Sequence, residues 1–419
     1  MQKESGPIGE LGLSKNVHIA GAGISGLLMA YYLKKAGYQV TIFEKNARPG
    51  GKIQTVKTPA GIAEKAANAI FTNEDVIELL QELRLPFLSP QKKLKKKIWR
   101  NGKARSFPLA PWELPILLAG LFKKVPKDLD SLSVYDFFCP LLGKKASYEV
   151  LSAVFGGIYA TDAKTLHFKS VFKNEIRAAT YFGFIKELIK TRKERTHRPT
   201  SISFEGGMHT FIDALSEELK DNFIYEKKTA LSQGVNTIIC ADALDAPEIL
   251  ESIHPNAAKE LKRVDYQALS TATYISDRQA KPLENSFGIL FSPKSGFKSS
   301  GILNNSAIFQ HRTQGTDRHS HTFISQDPNF GKESALEDLN RLDSKADWPS
   351  SLQAESQTDW ERGIPIYDQK RRQIVKKLRS MFHGVAPGLV LFGNYVDGIS
   401  IREMTSMAKD FAGKRAKNS

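Results

Sequence analysis

Three glycines near the amino terminus have the spacing of a phosphate-binding turn. Gly21, Gly23 and Gly26 form the pattern GxGxxG between a short apolar segment, VHIA, and a helical pattern that ends at Gly37. The first glycine permits a tight turn, the second lets the backbone approach a pyrophosphate, and the third allows close packing of helix on sheet. The free N–H groups and positive dipole end of such a helix then face the phosphates. These residues predict a dinucleotide-binding site.

An acidic residue and a second glycine pair follow this turn. Residues 39–43 form an apolar segment typical of a strand, and the segment ends at Glu44, 18 residues after Gly26. A carboxylate at this place in a dinucleotide-binding unit accepts hydrogen bonds from ribose hydroxyls. The glycine pair at 50–51, followed by Lys52, extends the phosphate cradle, which a plain NAD-binding unit does not need. The order of strand, turn, helix, strand and acid disfavours the alternative of a glycine turn without a ligand.

The segment from Gly21 to Lys52 resembles the opening of the FAD-binding flavin amine oxidase superfamily. Chains of that superfamily open with GxGxxGLxxAxxLxxxGxxVxxxExxxxxGGK, and this sequence matches the pattern nearly throughout. The resemblance implies FAD as the cofactor. The residues that it assigns to FAD binding are Gly21, Gly23, Ile24, Ser25, Gly26, Glu44, Lys45, Gly50, Gly51, Lys52, Thr229, Gly393, Asn394 and Ile399.

Later segments resemble one family within this superfamily, the oxygen-dependent, FAD-containing protoporphyrinogen oxidases. No single segment decides the matter, but their order and spacing along nearly the whole chain are specific. The segments are FGGIYATDAKTLHFKSVF (155–172), SFEGGMHTFIDAL (203–215), FGILFSP (287–293), GILNNSAIFQHR (301–312), WERGIPIY (360–367) and LVLFGNYVDGISI (389–401).

The resemblance implies oxidation of protoporphyrinogen IX to protoporphyrin IX in haem biosynthesis, with oxygen as the acceptor. The flavin carries such chemistry, while the protein orients the substrate and excludes side reactions. We therefore predict no catalytic side chain and no metal. His311, His319 and His321 come closest to a cluster, and we expect them in a solvated polar loop.

The substrate of this family is a large, flat, apolar ring that carries propionates. A family arginine that pairs with a propionate aligns best with Lys96, and Arg100 is the second candidate. Lysine keeps the charge but lacks the bidentate geometry of a guanidinium. Alignment with the family also gives positions that face the ring, namely Gly157, Leu290, Leu303 and Phe323.

Several other functions remain open at this stage. Coproporphyrinogen III oxidation to coproporphyrin III is the nearest, and additional cations in the pocket would favour it. A carotenoid desaturase or an amine oxidase would share the cofactor, but the segments around Gly157, Leu290 and Gly393 argue against both. A non-catalytic flavin- and tetrapyrrole-binding protein is the alternative from another class, because some family glycines are lost, as at Thr161.

Composition and charge limit the choice of partners. The 419 residues predict two or three domains, and 60 basic against 45 acidic residues give a formal net charge of +15. This excess favours an anionic partner. No nucleic-acid recognition module accompanies it, so we expect no nucleic acid. Cys139 and Cys240 lie far apart, which predicts reduced thiols and a cytoplasmic protein.

Residues 107–122, FPLAPWELPILLAGLF, form the most apolar stretch of the chain. Prolines and Glu113 interrupt it, so we predict no membrane-spanning helix. Apolar insertion beside Lys123 and Lys124 suits the interface of an anionic bilayer. We expect peripheral association with the inner (cytoplasmic) membrane, against the alternative of a core helix with a solvated charge run. The family resemblance also implies a homodimer.

These observations together predict an α/β protein in three parts. A Rossmann-like FAD-binding domain is joined by a mixed-sheet substrate domain and a helical membrane-associating insertion. The expected boundaries are 1–72, 203–250 and 358–412 for the FAD-binding domain, 73–89 and 251–357 for the substrate domain, and 90–195 for the insertion.

Overall fold

The computed structural model describes residues 6–90, 94–194, 197–229, 234–315, 317–351, 353–383 and 388–416. For residues 353–355 and 415–416 it describes the backbone only. The strands in chain order are β1 (Ile8–Gly9), β2 (Asn16–Ala20), β3 (Gln39–Phe43), β4 (Thr55–Thr58), β5 (Gly61–Glu64), β6 (Ile70–Phe71), β7 (Lys95–Arg100), β8 (Lys103–Arg105), β9 (Ser201–Ile202), β10 (Phe223–Ile224), β11 (Asn236–Ile239), β12 (Tyr266–Ser276), β13 (Ser286–Phe291), β14 (Gly301–Asn304), β15 (His319–Ser325), β16 (Gln353–Pro365) and β17 (Leu389–Leu391).

Helices cover both sheets and form a separate lobe between β8 and β9. Short 3₁₀ turns lie at Pro111–Glu113, Lys220–Asn222 and Lys281–Leu283. The α-helices are α1 (Ile24–Lys35), α2 (Glu74–Glu82), α3 (Leu114–Leu121), α4 (Val134–Leu142), α5 (Lys144–Tyr159), α6 (Phe168–Val171), α7 (Tyr181–Lys193), α8 (His209–Glu218), α9 (Ala246–Leu250), α10 (Pro255–Leu261), α11 (Asn305–Ile308), α12 (Lys332–Leu342), α13 (Gln369–Phe382) and α14 (Ile401–Ala416).

The six-stranded sheet has the order β1-β17-β11-β2-β3-β10. Its strands are parallel except β1, which pairs antiparallel with β17 at the edge. Val17 and Ile19 of β2 and Ile42 of β3 are fully buried, as expected for strands covered by helices on both faces. Strand β2 pairs with β3 on one side and with β11 on the other, so the strand order changes direction at β2. Ligands of such sheets bind beyond the carboxyl ends of the strands at this switch point.

The seven-stranded sheet has the order β16-β12-β15-β14-β13-β7-β8. Its pairs are antiparallel except β13 with β7, which is parallel, so the predicted mixed sheet is present. One face packs against α12 through an apolar core that includes Ile289, Phe323 and Leu339. The opposite face is turned toward the six-stranded sheet.

The helical lobe runs from α3 to α7 around a cluster of aromatic rings. Phe137 stacks on Phe168 with 3.9 Å between ring centroids, and Phe168 stacks in turn on Phe172. Ring stacking of this kind adds to the free energy gained from burying the apolar surface. Within the described residues no helix is long and apolar enough to cross a membrane.

Three of the expected boundaries need correction. Residues 95–105 form β7 and β8 of the seven-stranded sheet, so the helical lobe begins after them and not at residue 90. Strand β16 starts before the boundary at 358 and pairs with β12. Helix α2 packs its buried Val76 and Leu79 into the core of the six-stranded sheet rather than the substrate part. The lysines of β7 hide its strand character in the sequence. A strand can carry them because only one of its faces is covered by the rest of the protein.

Candidate active site

A cavity of about 1270 Å³ lies between the two sheets. It extends from the carboxyl ends of β2 and β3 to the face of the seven-stranded sheet that is turned away from α12. Sites for drug-sized ligands occupy up to about 1,000 Å³. This cavity is larger than that range, so it has room for a ligand larger than a drug molecule.

The glycine turn between β2 and α1 forms one end of the cavity. The N–H of Gly21 donates to the carbonyl oxygen of Phe43 over 2.8 Å, which ties the turn to β3. A Cβ on Gly26 would lie 1.9 Å from the carbonyl oxygen of Gly21, so only glycine permits this packing. Gly23 lines the cavity, and no atom lies within 4 Å of the place where its Cβ would stand. That space suits a phosphate at the start of α1.

Glu44 supports the same turn from the end of β3. Its buried carboxylate accepts hydrogen bonds from the N–H of Ala22 at 2.8 Å and from the side chain and backbone of Asn46 at 2.7 and 3.0 Å. A carboxylate offers about four acceptor positions. Three are used within the protein, which leaves one for a ribose hydroxyl. The acid predicted from its spacing thus also fixes the backbone around the glycine turn.

The second glycine pair packs directly on the first turn. The N–H of Gly50 donates to the carbonyl of Ala22 over 2.8 Å, and a Cβ on Gly51 would lie 3.3 Å from the Cα of Gly23. The ammonium of Lys52 donates to the carbonyls of Arg362 and Gly363 at the end of β16. Lys52 therefore joins the two sheets across the cavity.

A buried hydroxyl lies on the far side of the dinucleotide end of the cavity. Thr229 lines the cavity, and its buried Oγ1 atom has no hydrogen-bond partner within the described part of the protein. Native proteins rarely leave such a group unpaired, so a polar ligand atom fits here. All the residues predicted to bind the cofactor line the cavity except Gly26, which supports the turn from behind.

The turn after β17 forms the middle of the cavity wall, through Gly393, Asn394 and Ile399. Tyr367 donates its phenolic hydrogen to the carbonyl of Asn394. The buried guanidinium of Arg371 donates to the carbonyls of Tyr395 and Val396 at 2.9 and 2.8 Å. Burial raises the pKa of Tyr367 above its ordinary range, so it stays a donor. These contacts fix the backbone of the turn at the centre of the cavity.

The seven-stranded sheet supplies the apolar end of the cavity. In register, Leu303 lies opposite Thr322, and Gly301 lies opposite Ile324, so all four share one face of the sheet. Leu303 and Ile324 line the cavity. The side chain of Asn305 lines it as well and is held by the hydroxyl of Thr322 at 2.7 Å.

Two of the four predicted ring-facing positions line this cavity, Gly157 and Leu303. Leu290 lies on the cavity face of β13 but is covered by α5, because a Cβ on Gly157 would stand 2.7 Å from its Cδ2 atom. Phe323 is wholly buried in the opposite core, which corrects the prediction for it. Successive residues of a strand alternate between faces, and the next residue, Ile324, lines the cavity instead.

Lys96 stands at the rim of the cavity beside two aromatic rings. Its Nζ atom lies 5.2 Å from the ring centroid of Phe287 and 5.6 Å from that of Phe71. The pairing of β13 with β7 shifts register between Ser286 and Gly288, so Phe287 is the additional residue of a bulge. Bulges redirect side chains. Phe287 therefore lines the cavity, whereas the residues of β13 that face the apolar core do not.

Arg100 has a structural role, which corrects its candidacy as a substrate ligand. Its buried guanidinium forms paired hydrogen bonds with Glu113, one of them 2.6 Å long, and a 2.6 Å bond with Glu149. It also donates to the carbonyl of Pro108 over 3.1 Å. The residue fastens the apolar segment to β7 and does not line the cavity.

His311 lies in an exposed turn, as expected, but His319 and His321 do not. His319 and His321 belong to β15, and both ring nitrogens of the buried His321 lack a partner within the described residues. Burial lowers the pKa of His321 to about 3, so it is neutral near pH 7. No group of side chains in the described ranges has the arrangement of a metal site.

Several lining residues of the apolar end were not predicted from the sequence. Phe71 belongs to a two-residue strand, Ile308 ends the single helical turn α11, and Phe309 directly follows that turn. Elements this short give no periodic pattern.

The chain is similar to known proteins over different parts of its length. Residues 19–83 match the family model described as NAD(P)-binding Rossmann-like domain. The chain is 27% identical to protoporphyrinogen oxidase 2, chloroplastic/mitochondrial, of Arabidopsis thaliana, over 92% of this chain and 91% of that protein. It is 22% identical to coproporphyrinogen III oxidase of Bacillus subtilis, over 94% of this chain and 96% of that protein.

The chain is a homologue of the protoporphyrinogen oxidases. The family recognised from the sequence is thereby confirmed, as are a flavin-dependent oxidoreductase and FAD as its cofactor.

Solved structures confirm the predicted α/β fold with its Rossmann-like domain and mixed sheet. A protein from Exiguobacterium sp. 255-15 has a TM-score of 0.77 and 17% identity, over 98% of this chain and 100% of that chain. A reduced UDP-galactopyranose mutase has a TM-score of 0.71 and 13% identity, over 96% of both chains. At these identities the likeness concerns the fold alone.

Proposed function

We propose that this chain oxidises protoporphyrinogen IX to protoporphyrin IX in haem biosynthesis, with oxygen as the acceptor. The observation that carries the proposal is the single cavity that joins a dinucleotide turn to an apolar wall. Relatives named protoporphyrinogen oxidase and coproporphyrinogen III oxidase match over nearly the whole chain and support the same reaction class. The overall reaction removes six hydrogens in three two-electron steps, and each step reduces one O₂ to H₂O₂.

The dinucleotide end supplies the contacts that FAD needs. The N–H groups at the start of α1 would hold its pyrophosphate, the free acceptor position of Glu44 would accept from a ribose, and the unpaired hydroxyl of Thr229 would be a further polar contact. Gly393 and Asn394 lie between this end and the apolar wall. When bound, FAD supplies the hydride chemistry.

The residues of the apolar end position the substrate ring and exclude water from it. Leu303 and Ile324 present an aliphatic surface, and Gly157 contributes the end of α5 to the same wall. Asn305, fixed by Thr322, is the polar group within this wall. The carboxylates of the ring are directed to the rim, where Lys96 lies beside Phe287.

The charges of the cavity favour protoporphyrinogen over coproporphyrinogen. The cations that line the described cavity lie at the dinucleotide end, and Lys45, Lys52 and Lys228 among them pair with acids there. A substrate with four propionates brings two more negative charges into the apolar end. Burying an unpaired carboxylate costs several kcal/mol, so the dipropionate is the better substrate.

The loss of a family glycine at Thr161 does not favour a non-catalytic protein. Thr161 has no left-handed backbone conformation; the positive φ of 50° belongs to Ala160. The hydroxyl of Thr161 donates to the carbonyl of Tyr159 over 3.0 Å, so the side chain is accommodated. The wall that Ala160 and Gly157 contribute to the cavity is intact.

The decisive experiment measures turnover of both porphyrinogens by the purified flavoprotein. Porphyrin fluorescence is followed after adding protoporphyrinogen IX in air, with coproporphyrinogen III in parallel and peroxide measured at the end. We expect growth well above the non-enzymatic rate, larger for protoporphyrinogen IX. Faster oxidation of coproporphyrinogen III would reverse the substrate assignment, and bound flavin without turnover of either would establish the binding protein instead.

We further propose that the protein lies on the cytoplasmic face of the inner membrane. An apolar surface, which we call the lobe surface, is built from α3 and its flanking residues together with α7. Its exposed fractions are 60% for Phe107, 68% for Trp112, 60% for Leu118 and 79% for Phe122. Contiguous exposed apolar side chains mark interaction sites. The lysines at 123 and 124 beside this surface suit anionic lipid.

The predicted homodimer is a separate proposal, which light scattering tests.

A further inference from the structure

We infer that the side-chain oxygen of Asn305 accepts a hydrogen bond from a pyrrole N–H of the bound porphyrinogen. The inference rests on the proposed function, because it names how that site recognises the reduced form of the ring. It makes Asn305 a specificity-determining residue that favours the porphyrinogen over the oxidised porphyrin.

Asn305 is anchored to the cavity face of the seven-stranded sheet. It begins α11 directly after β14 and lines the cavity. Its amide nitrogen donates to Oγ1 of Thr322 over 2.7 Å and to Oγ of Ser320 over 3.4 Å. These two hydroxyls lie two residues apart on β15, so they share one face of the sheet. Both hydrogens of the amide are therefore directed at the sheet.

The oxygen of the same amide is left available to a ligand. No described residue donates to Oδ1 of Asn305, whose amide hydrogen bonds run from the nitrogen alone. This oxygen retains solvent access, in contrast to the unpaired Oδ1 of Asn304, which is sealed within the protein. Thr322 is held in turn by the hydroxyl of Thr273 at 2.7 Å, and both threonines are buried. The amide is therefore fixed before any ligand arrives.

The surroundings of this oxygen are aliphatic. Leu303, Ile308 and Ile324 line the cavity from the same strands and from α11. In such surroundings a hydrogen bond is electrostatically stronger than in water, and an unpaired polar group is costly. A ligand that fills the apolar end thus gains most when it brings a donor to Asn305.

The polar side chains of the neighbouring strands are directed elsewhere. Thr271 of β12 and Trp360 of β16 also line the cavity. Both donate to the carbonyl of Lys65, at 2.7 and 2.8 Å. Their hydrogens therefore point to the protein backbone, which leaves the acceptor of Asn305 as the complement to an N–H group in the ligand.

The two forms of the tetrapyrrole differ in where their N–H groups point. In a porphyrinogen, saturated carbons join the pyrroles, so each pyrrole can tilt and turn its N–H out of the mean plane of the ring. A porphyrin is flat and conjugated, and its remaining N–H groups point to the ring centre. An acceptor that faces the ring reaches the N–H groups of the substrate but not those of the product. Asn305 therefore stabilises the bound substrate without retaining the product.

The test measures the binding of the two rings separately. Anaerobic mixing of the flavoprotein with protoporphyrinogen IX in a stopped-flow instrument gives the Kd from the concentration dependence of flavin bleaching. Titration with protoporphyrin IX, followed by quenching of intrinsic protein fluorescence, gives the Kd of the product. The variants are Asn305→Leu, which removes the acceptor, Asn305→Asp, which keeps one, and Thr322→Val. The matched control is Asn340→Leu, because Asn340 is exposed on α12, which covers the opposite face of the sheet.

For Asn305→Leu we expect about tenfold weaker binding of the porphyrinogen and unchanged binding of the porphyrin. Asn305→Asp should retain most of the affinity, because the hydroxyl of Thr322 can turn and donate to the carboxylate. Thr322→Val should weaken binding of the porphyrinogen alone and add nothing in the Asn305→Leu background, since it acts through the amide. The control should bind both rings as the unchanged protein does.

Equal weakening for porphyrinogen and porphyrin would show a packing role for Asn305 and overturn the inference. Unaltered binding of the porphyrinogen to Asn305→Leu would overturn it as well, while the proposed function stands. If protoporphyrinogen IX does not bleach the flavin of the unchanged protein, the proposed function itself fails.

Discussion

The guanidinium of Arg312 donates a 2.7 Å hydrogen bond to the carboxylate of Glu64, and both side chains are almost wholly buried. The same carboxylate accepts from the N–H of Met208 at the start of α8 and from the hydroxyl of Thr55. Arg312 also contacts Ser203, so the pair joins the hairpin of β4 and β5 to the chain that follows β14. The loss of one partner leaves the other charge buried.

Glu64→Gln should therefore lower the free energy of unfolding by about 3–5 kcal/mol. Urea unfolding followed by circular dichroism measures the change. Glu175→Gln is the control, because its ion pair with Arg177 is exposed and such pairs contribute about 1 kcal/mol or less. Equal effects of the two substitutions would contradict a structural role for the buried pair.

Gly23→Val should abolish retention of FAD while leaving the fold intact. The side chain would occupy the space beside the start of α1 that we assign to the pyrophosphate. The ratio of flavin to protein absorbance measures retention. Gly413→Ala serves as the control, because it lies on α14 with no atom within 4 Å of its Cβ position. A normally yellow Gly23→Val protein would refute the cofactor site.

Gly157→Ala should raise the KM for protoporphyrinogen because the added methyl would stand 2.7 Å from Leu290 Cδ2 and force one of them into the cavity. We expect about a tenfold change, the effect of roughly 1.4 kcal/mol. The double variant with Leu290→Ala removes the clash and should recover the original KM. Additive effects of the two substitutions would show that the contact does not shape the site.

The stability of the protein should fall with acid below pH 6.5. His321 is neutral in the folded protein, where burial lowers its pKa from 6.5 to about 3. The unfolded chain takes up its proton first, so the stabilisation is present above pH 6.5 and is lost as the pH falls toward 3. Each pH unit costs about 1.4 kcal/mol.

His321→Leu should flatten this dependence in urea unfolding measured from pH 7.5 to 4.5. Other histidines with lowered pKa values, such as His18 and His167, leave part of the slope in place. Parallel curves for the variant and the unchanged protein would show that His321 does not contribute.

Phe122→Asp and the pair Lys123→Glu with Lys124→Glu should release the protein from vesicles that contain phosphatidylserine. The first removes an apolar contact of the lobe surface, and the second reverses its charge. Co-sedimentation measures the bound fraction. Ile253→Asp is the control, because that residue is 53% exposed outside the lobe surface. Unchanged sedimentation of both variants would place the binding elsewhere.

Much of the dinucleotide end was predictable because local chemistry determines it. The bounds of β3 agree with the predicted segment 39–43, and the glycines at 21 and 26 occupy positions where a side chain would clash or strain the backbone. The apolar end was predicted less well. The error at Phe323 came from register, which depends on strand pairing rather than on residue type.

The other differences between the sequence predictions and the structure arise from where the residues lie in the tertiary structure. Arg100 has the charge of a propionate ligand, but Glu113 and Glu149 lie close in space and engage it. His321 stands in a polar sequence yet is covered by neighbouring strands. Phe71 and Arg402 give no signal in sequence because their proximity arises from the packing of α14 beside β6.

Strand β7 joins the rim of the cavity to the lobe surface. Lys96 and Arg100 are four residues apart on it, a span of about 13 Å in an extended strand. Arg100 holds the backbone at Pro108 and the side chain of Glu113, which lie on either side of the exposed Trp112 of the lobe surface. A molecule resting on a bilayer by that surface therefore keeps its cavity entrance at a nearly constant height above the lipid. An apolar ring leaving the membrane would then travel only a short distance through water.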